Sequence, residues 1–299
     1  MEEIIRTTTH LYHLRIGGDS MAGKTLEQLL SEEEKQNIIA DYKNNVSLRE
    51  LEKKYHHTRL RISKWLESIG VKTTKGNHYR KYFHDENFFE TIDTEEKAYW
   101  LGFMFADGYI VNNENNYGQD HFGITVAEDS ADVIEKFKVS LKATNPILYD
   151  YSGNRYGKQT LHKLVLCSQK TVNDLIDKGC VKQKTLILEP PKHVPEALIR
   201  HFLRGFFDGD GALCRCPRKD STHISFNVSF TTTKPVVEWI YSVIKMGRVY
   251  KEERREHTWY WRLDGNQQVI KFYHYLYDNA TIWMDRKYNK FQELLEKYD

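Results

Sequence analysis

One phrase occurs twice in this chain: WLGFMFADG at 100–108 and LRGFFDGDG at 203–211, both carrying GFxxxDG, offset by 103 residues. A self-similarity at that spacing constrains the fold to a tandem of two like units before any other feature is considered. Each phrase closes a helical stretch. Thr94 is placed to cap EEKAYWLGFMFAD, and Pro195 stands where a first helical turn tolerates proline in PEALIRHFLRGFFD.

Within each helix two small residues stand four apart, Gly102 with Ala106 and Gly205 with Gly209, so each presents a stripe that permits close backbone approach. Packing the stripes on each other brings Asp107 and Asp210 side by side at the helix C-termini, with Gly108 and Gly211 expected as left-handed caps. That placement is unfavourable by itself. The carboxylates repel, and each meets the negative end of a helix dipole at a cost of roughly 0.3 to 1 kcal/mol. A hard divalent cation, Mg²⁺ completed by water and phosphate oxygens, reverses the sign. One Asp-Gly after a helix is an ordinary turn; two copies on matching helices indicate a metal site at Asp107 and Asp210.

The segments after each phrase also correspond. YIV, FGITVAE (122–128), a helix at 130–142, strands at PILYDYS and TLHKLVLC and a helix at TVNDLIDKG follow the first. ALCRCP, HISFNVSFT (223–231), a helix at 234–245, strands at GRVYKEE and TWYWRLD and a helix at NQQVIKFYHYLYD follow the second. Both read αββαββα, which predicts an α+β fold with two four-stranded sheets, each wet on one side and helix-covered on the other. Arg155, Lys158 and Lys163 in the first repeat, and Arg215, Arg218, His223, Arg248, Lys251 and Arg262 in the second, are candidates for the wet faces, where they would contact DNA.

A different pattern precedes the repeats. Ser31 opens a helix at 31–44 with three Glu in its first turn, followed by SLRELEKKY (47–55) and TRLRISKWLESIG (58–70), two short amphipathic segments separated by a tight turn. Leu48, Leu51, Tyr55, Leu60, Ile62, Trp65, Leu66 and Ile69 are expected to form a small trihelical core. Thr58, Arg59, Arg61, Ser63 and Lys64 remain outside, a set suited to a DNA major groove, and the arrangement resembles the helix-turn-helix of resolvase-like and transposase-like domains. A plain three-helix bundle or a self-interaction module is the alternative. Behind it, 71–89 shows no helical period and interleaves Lys72, Lys75, Arg80 and Lys81 with tyrosines, as a linker tracking phosphates would. The implied organisation is an extension at 1–25, the helix-turn-helix at 26–71, a basic linker at 72–93 and repeats at 94–192 and 193–299.

Composition supports a polyanionic partner. The chain of 299 residues carries a net charge of only +2, yet 46–81 holds ten Lys or Arg against three Glu, and 212–262 ten against five acidic residues. Two separate basic stretches on a nearly neutral chain suit double-stranded DNA touched in two places. No apolar run is long enough to span a membrane and the N-terminus lacks a signal-peptide pattern, which predicts a cytoplasmic protein. Cys167, Cys180, Cys214 and Cys216 form no CxxC pair and are expected as small core residues. Ile16–Met21 could be encoded by a ribosome-binding site followed by a start codon, which would make Met21 the working start.

The two phrases, with GCVKQKTLILEPP before the second and ATIWMDRKYNKF near the C-terminus, resemble the single-chain LAGLIDADG homing endonucleases over roughly residues 94 to 299. The resemblance implies a monomeric pseudo-dimer whose sheets lie in the DNA major groove. It further implies that the last acidic residue of each motif, Asp107 and Asp210, binds metal, two or more divalent cations in all, and that a double-strand break results. The family's basic active-site residues fall on Lys184 and Lys287. The sixth motif position departs between repeats, Phe105 in one and Asp208 in the other, whereas the metal-binding eighth position is acidic in both. The resemblance also implies an intron-encoded or phage-borne protein, no intein residues being present. A DNA-binding regulator or an RNA maturase that keeps the fold without cleavage is the alternative function.

Overall fold

The computed structural model describes residues 25–44, 46–71, 73, 81–112, 119–154, 157–217, 224–253 and 255–298, with only the backbone at 152–154 and 157–159. The chain divides into two units, Met1–Lys81 and Tyr82–Asp299.

Local capping sets the helices of the first unit: α1 (Leu26–Leu29), α2 (Glu32–Lys43), α3 (Leu48–Tyr55) and α4 (Arg59–Ser68). Ser31 and Ser47 each accept from the backbone N–H three residues on, while Glu34 and Glu50 reach back to the serine N–H, so orphan donors are satisfied reciprocally. His56, in a left-handed conformation, ends α3 and turns the chain into α4 within three residues. The buried core is Leu26, Leu30, Ile38, Tyr42, Leu51, Ile62, Trp65 and Leu66. Leu60 and Ile69, expected in this core, are 65% and 41% exposed. The apolar period of α4 is satisfied by Ile62, Trp65 and Leu66 alone, which leaves Leu60 on the outer face beside Arg59 and Lys64.

The second unit carries the tandem. First come α5 (Glu95–Ala106), β1 (Gly108–Val111), β2 (His121–Ala127), α6 (Ala131–Ser140), β3 (Leu148–Asn154), β4 (Gly157–Cys167) and α7 (Gln169–Asp177). Then come α8 (Ile199–Asp210), β5 (Ala212–Pro217), β6 (Ile224–Thr232), α9 (Lys234–Ile244), β7 (Arg248–Lys251), β8 (Trp259–Asp264) and α10 (Asn266–Tyr277), and α11 (Asp285–Tyr298) ends the chain. Each repeat makes one antiparallel sheet, in the orders β1-β2-β4-β3 and β5-β6-β8-β7. The architecture is therefore α+β and repeats αββαββα, as the pattern predicts. Alternation decides the faces: Phe122, Ile124, Val126, Leu164 and Leu166, and in the second sheet Phe226, Val228, Phe230, Trp261 and Leu263, are buried against helices. The two repeats share one hydrophobic core.

Three expectations change here. The second half of the proposed linker belongs to this unit: Phe88, Phe89 and Ile92 are buried in its core, and the Asp85 and Thr144 N–H groups donate to Leu141 O and Phe83 O. Of the cysteines only Cys180 is buried, because Cys167, Cys214 and Cys216 fall on the strand parity facing away from the helices. Gly108 and Gly211 are not left-handed caps; the positive-φ glycines among the described residues are Gly70, Gly179, Gly247 and Gly265. Gly108 and Gly211 are required for space instead, since a Cβ at either would stand 2.6 Å from Met104 Cα or Phe207 O.

Candidate active site

Helices α5 and α8 pack through their small-residue stripes. A Cβ on Gly102 would stand 2.8 Å from Phe206 N, and one on Gly205 would stand 2.8 Å from the carbonyl carbon of Tyr99, so backbone meets backbone without an intervening side chain. At the C-terminal end the same contact sets Gly209 against Ala106 and 3.4 Å, measured from its would-be Cβ, from Asp107 N. Asp107 and Asp210, the last acidic residues of the two motifs, are thereby neighbours and both solvent-accessible.

Their surroundings raise both carboxyls. Asp107 goes up because protein crowds it on most sides, with the Lys184, Lys287 and Arg286 charges opposing. Asp210 is pushed up to about 6, first by the same desolvation and then by the Asp107 charge, against the two lysines. The mutual repulsion expected from the sequence is thus present, and so is a compensation that the sequence argument left to a metal.

Lys184 and Lys287, also 103 residues apart, cap the two motif helices. Lys184 Nζ donates to Met104 O at 2.9 Å and Gly108 O at 2.5 Å. Lys287 Nζ donates to Phe207 O at 2.5 Å, Gly209 O at 3.1 Å and Gly211 O. Met104 with Phe207, and Gly108 with Gly211, stand at the same 103-residue offset, so the two ammonium groups occupy equivalent places. Each puts a positive charge at the negative end of a helix dipole and occupies orphan carbonyls there. The halves differ in depth: Lys184 is half-buried on a 3₁₀ turn, Lys184–Leu186, whereas Lys287 is buried on the first turn of α11. Burial pushes Lys287 down to about 8 and lowers Lys184 as well, with the Asp107 and Asp210 charges opposing.

Among the described residues no group of three or more His, Cys, Asp or Glu could hold a metal. The site offers two carboxylates, and the nearby carbonyls of Gly108 and Gly211 are occupied by lysine. This donor set fits a hard cation that keeps water and takes phosphate oxygens to complete its shell, and does not fit a cage made of protein alone.

The remaining candidates are scattered. On the first sheet Lys163 lies on the wet face with its ammonium 5.4 Å from the Tyr109 ring centroid. On the second sheet Arg248 and Arg262 are register partners on the wet face, and Arg262 Nε bonds Asp264 Oδ1 at 2.8 Å. Arg215 and Lys251 take the other parity, that of Leu213 and Val249, because each lies an odd number of residues from the wet positions Cys214 and Arg248. They are exposed at strand ends and do not join the wet-face set. In the first unit Thr58, Arg59 and Lys64 are exposed on or beside α4, Arg61 is half-buried, and Lys81 is exposed. Arg59 pairs with Glu52 at 2.9 Å, and Ser63 Oγ is held by Thr73 Oγ1 at 2.7 Å. Lys72, Lys75, Arg80, Arg155, Arg218 and His223, the side chain of Lys158, and the proposed start at Met21 lie outside the described residues.

Arg286, whose charge reaches Asp107, was missed by pattern reasoning; its only sequence signal is its place beside Lys287. No helix among the described residues is long and apolar enough to cross a membrane.

Solved structures similar to this chain include the I-LtrWI LAGLIDADG homing endonuclease bound to target DNA, at a TM-score of 0.48 and 13% identity, covering 69% of this chain and 90% of that one. The meganuclease I-SmaMI bound to an uncleavable DNA aligns at a TM-score of 0.47 and 14% identity, covering 66% and 88%. The LAGLIDADG meganuclease I-AabMI bound to uncleaved DNA aligns at 0.45 and 13%, covering 66% and 88%. No protein-family model matches the sequence, and no curated protein matches it.

Proposed function

We propose that this chain is a site-specific endonuclease that hydrolyses both strands of a long double-stranded DNA target in the presence of Mg²⁺, acting as a monomer in the cytoplasm of a bacterial or phage-infected cell. The observation that carries this reading is the pairing of Asp107 with Asp210 at matched helix ends, each end capped by an equivalent lysine.

Asp107 and Asp210, when ionised, would hold the divalent cations, two or more in all. Bound Mg²⁺ supplies Lewis-acid stabilisation of charge on phosphoryl oxygens. Lys184 and Lys287 keep the two helix ends neutral enough for paired carboxylates to coexist, and their charges favour developing negative charge on a phosphate nearby. The wet sheet faces, through Lys163, Arg248 and Arg262, give the duplex a polar and positively charged seat. The N-terminal unit adds a helix-turn-helix, with α4 entering a major groove and Thr58, Arg59, Arg61 and Lys64 supplying base and phosphate contacts.

The test is a randomised pool of double-stranded DNA incubated with the protein in Mg²⁺ or in EDTA, with cleaved ends sequenced. One recurrent cut site, seen only with the metal, is expected. Retention of a DNA or RNA sequence with no cut in any member of the pool would replace this reading by a regulator or a maturase.

A further inference from the structure

The two half-sites are not built alike, and the difference centres on Asp208. Its carboxylate is fully buried and accepts three hydrogen bonds: from Tyr99 Oη at 2.9 Å, Tyr277 Oη at 2.6 Å and the Met284 N–H at 2.8 Å. Met284 immediately precedes α11, and its carbonyl accepts from the N–H groups of Lys287 and Tyr288, at 3.2 and 3.0 Å, which form the first turn. Lys287 then sends its ammonium back to Phe207 O and Gly209 O, the carbonyls on either side of Asp208. A closed ring results: the side chain of Asp208 holds the backbone that starts α11, and the side chain of Lys287 returns to the backbone that carries Asp208.

The first repeat has no such ring. At the 103-residue offset Phe105 replaces Asp208 and Val181 replaces Met284. Lys184 stands on a 3₁₀ turn instead of a helix, held by two carbonyls instead of three.

We infer that Asp208 is a positioning residue for one half-site only: through Met284 it fixes α11 and hence Lys287, so that losing its carboxylate impairs cleavage of one DNA strand and turns the enzyme into a strand-biased nickase. The inference rests on the nuclease reading above. An asparagine at 208 keeps an oxygen for Met284 N–H and Tyr99, which share Oδ2, and can donate its NH₂ to the Tyr277 hydroxyl, so the informative change is Asp208→Ala, which removes every acceptor of the set. A small misplacement of a group beside the reacting atoms is enough to cost a hundredfold.

The experiment is strand-resolved cleavage of a duplex carrying the selected target, each strand labelled separately, by wild type, Asp208→Ala, Tyr277→Phe and Lys184→Met. Asp208→Ala is expected to accumulate nicked DNA, with the rate ratio of the strands shifted by about tenfold or more. The slowed strand should be the opposite of the one slowed by Lys184→Met. Tyr277→Phe keeps the carboxylate and its bond to Met284, so it should lose stability and keep the wild-type ratio. Amide exchange at Met284, followed without DNA or metal, should accelerate in Asp208→Ala alone. Should Asp208→Ala not fold, Met284→Pro removes the same N–H and is expected to give the same bias. Equal slowing of both strands overturns the inference and leaves the nuclease reading standing. Failure of the wild type to cut either strand overturns both.

Discussion

A Cβ on Gly205 would stand 2.8 Å from the carbonyl carbon of Tyr99, closer than a real Cβ comes to a non-bonded backbone atom. Together with its counterpart at Gly102 and Phe206, this contact fixes the separation of the motif helices and with it the separation of Asp107 and Asp210.

Gly205→Ala and Gly102→Ala therefore have to push backbone apart, since no flexible side chain lies in the way. Each should destabilise the repeat unit by at least about 1–3 kcal/mol. Denaturant unfolding of each variant checks this; wild-type midpoints would show that the helices do not touch through these residues.

The lysines give a second, independent expectation. Lys287→Met takes the ammonium away from the carbonyls of Phe207, Gly209 and Gly211; Phe207 O keeps the Gly211 N–H, and a buried carbonyl left unsatisfied costs about 1–3 kcal/mol. Lys184 is half-exposed, so water can replace its ammonium at Met104 and Gly108. Lys287→Met should lower the melting temperature more than Lys184→Met, and the reverse order would mean that the capping role is misassigned.

On α4, Leu60→Ala should change stability by no more than about 0.5 kcal/mol, as for an ordinary surface position, whereas Ile62→Ala should cost about 2–5 kcal/mol. The comparison is made by thermal unfolding of the two variants. A large loss at Leu60 would put it back in the core that helical periodicity suggests.

The outcome at Leu60 shows where sequence reasoning runs out. Repetition of GFxxxDG gave both motif helices, their stripe contact and the two carboxylates, because a small-xxx-small pattern permits little else when it occurs twice at matching positions. Period and alternation gave the strands nearly to the residue, Ala212–Pro217 among them. Which apolar residue of a short helix finds a partner is set by neighbouring helices, and α4 had one more apolar residue than its core could hold. The glycines that end each motif answer to space and not to backbone torsion: Gly108 packs on Met104 and Gly211 on Phe207, four residues back, a contact at the helix end that the DG pair by itself does not distinguish from a left-handed cap. The carbonyl contacts of Lys184 and Lys287 were likewise invisible, since they join residues about 80 apart in the chain. Helix α11 begins inside the phrase ATIWMDRKYNKF, which carries a resemblance and no helical period read on its own, and runs seven residues beyond it.

Titration without metal supplies a fourth expectation. An aspartate titrates near 3.9 when unfolded, and Asp210 is pushed up to about 6 in the folded protein. Between those values the folded state holds a proton that the unfolded state has released, so this group's contribution to stability falls as pH rises from about 4 to about 6. His201 acts with the opposite sign: burial and the Arg204 charge hold it at about 4, so its contribution is lost as pH falls from about 6.5. Melting temperatures across this range should show a flatter acid-to-neutral decline for Asp210→Asn and a weaker acid loss for His201→Gln, relative to wild type. Parallel curves would contradict the desolvation of these groups by the surrounding protein.

The most direct measurement compares wild type, Asp107→Asn and Asp210→Asn on a supercoiled plasmid carrying the selected target, scored for linear product while DNA retention is followed in parallel. Linear DNA is expected from the wild type in Mg²⁺ and no double-strand cleavage from either variant, with retention essentially unchanged. Linear product at the wild-type rate from either variant would contradict a cleavage site shared by the two carboxylates.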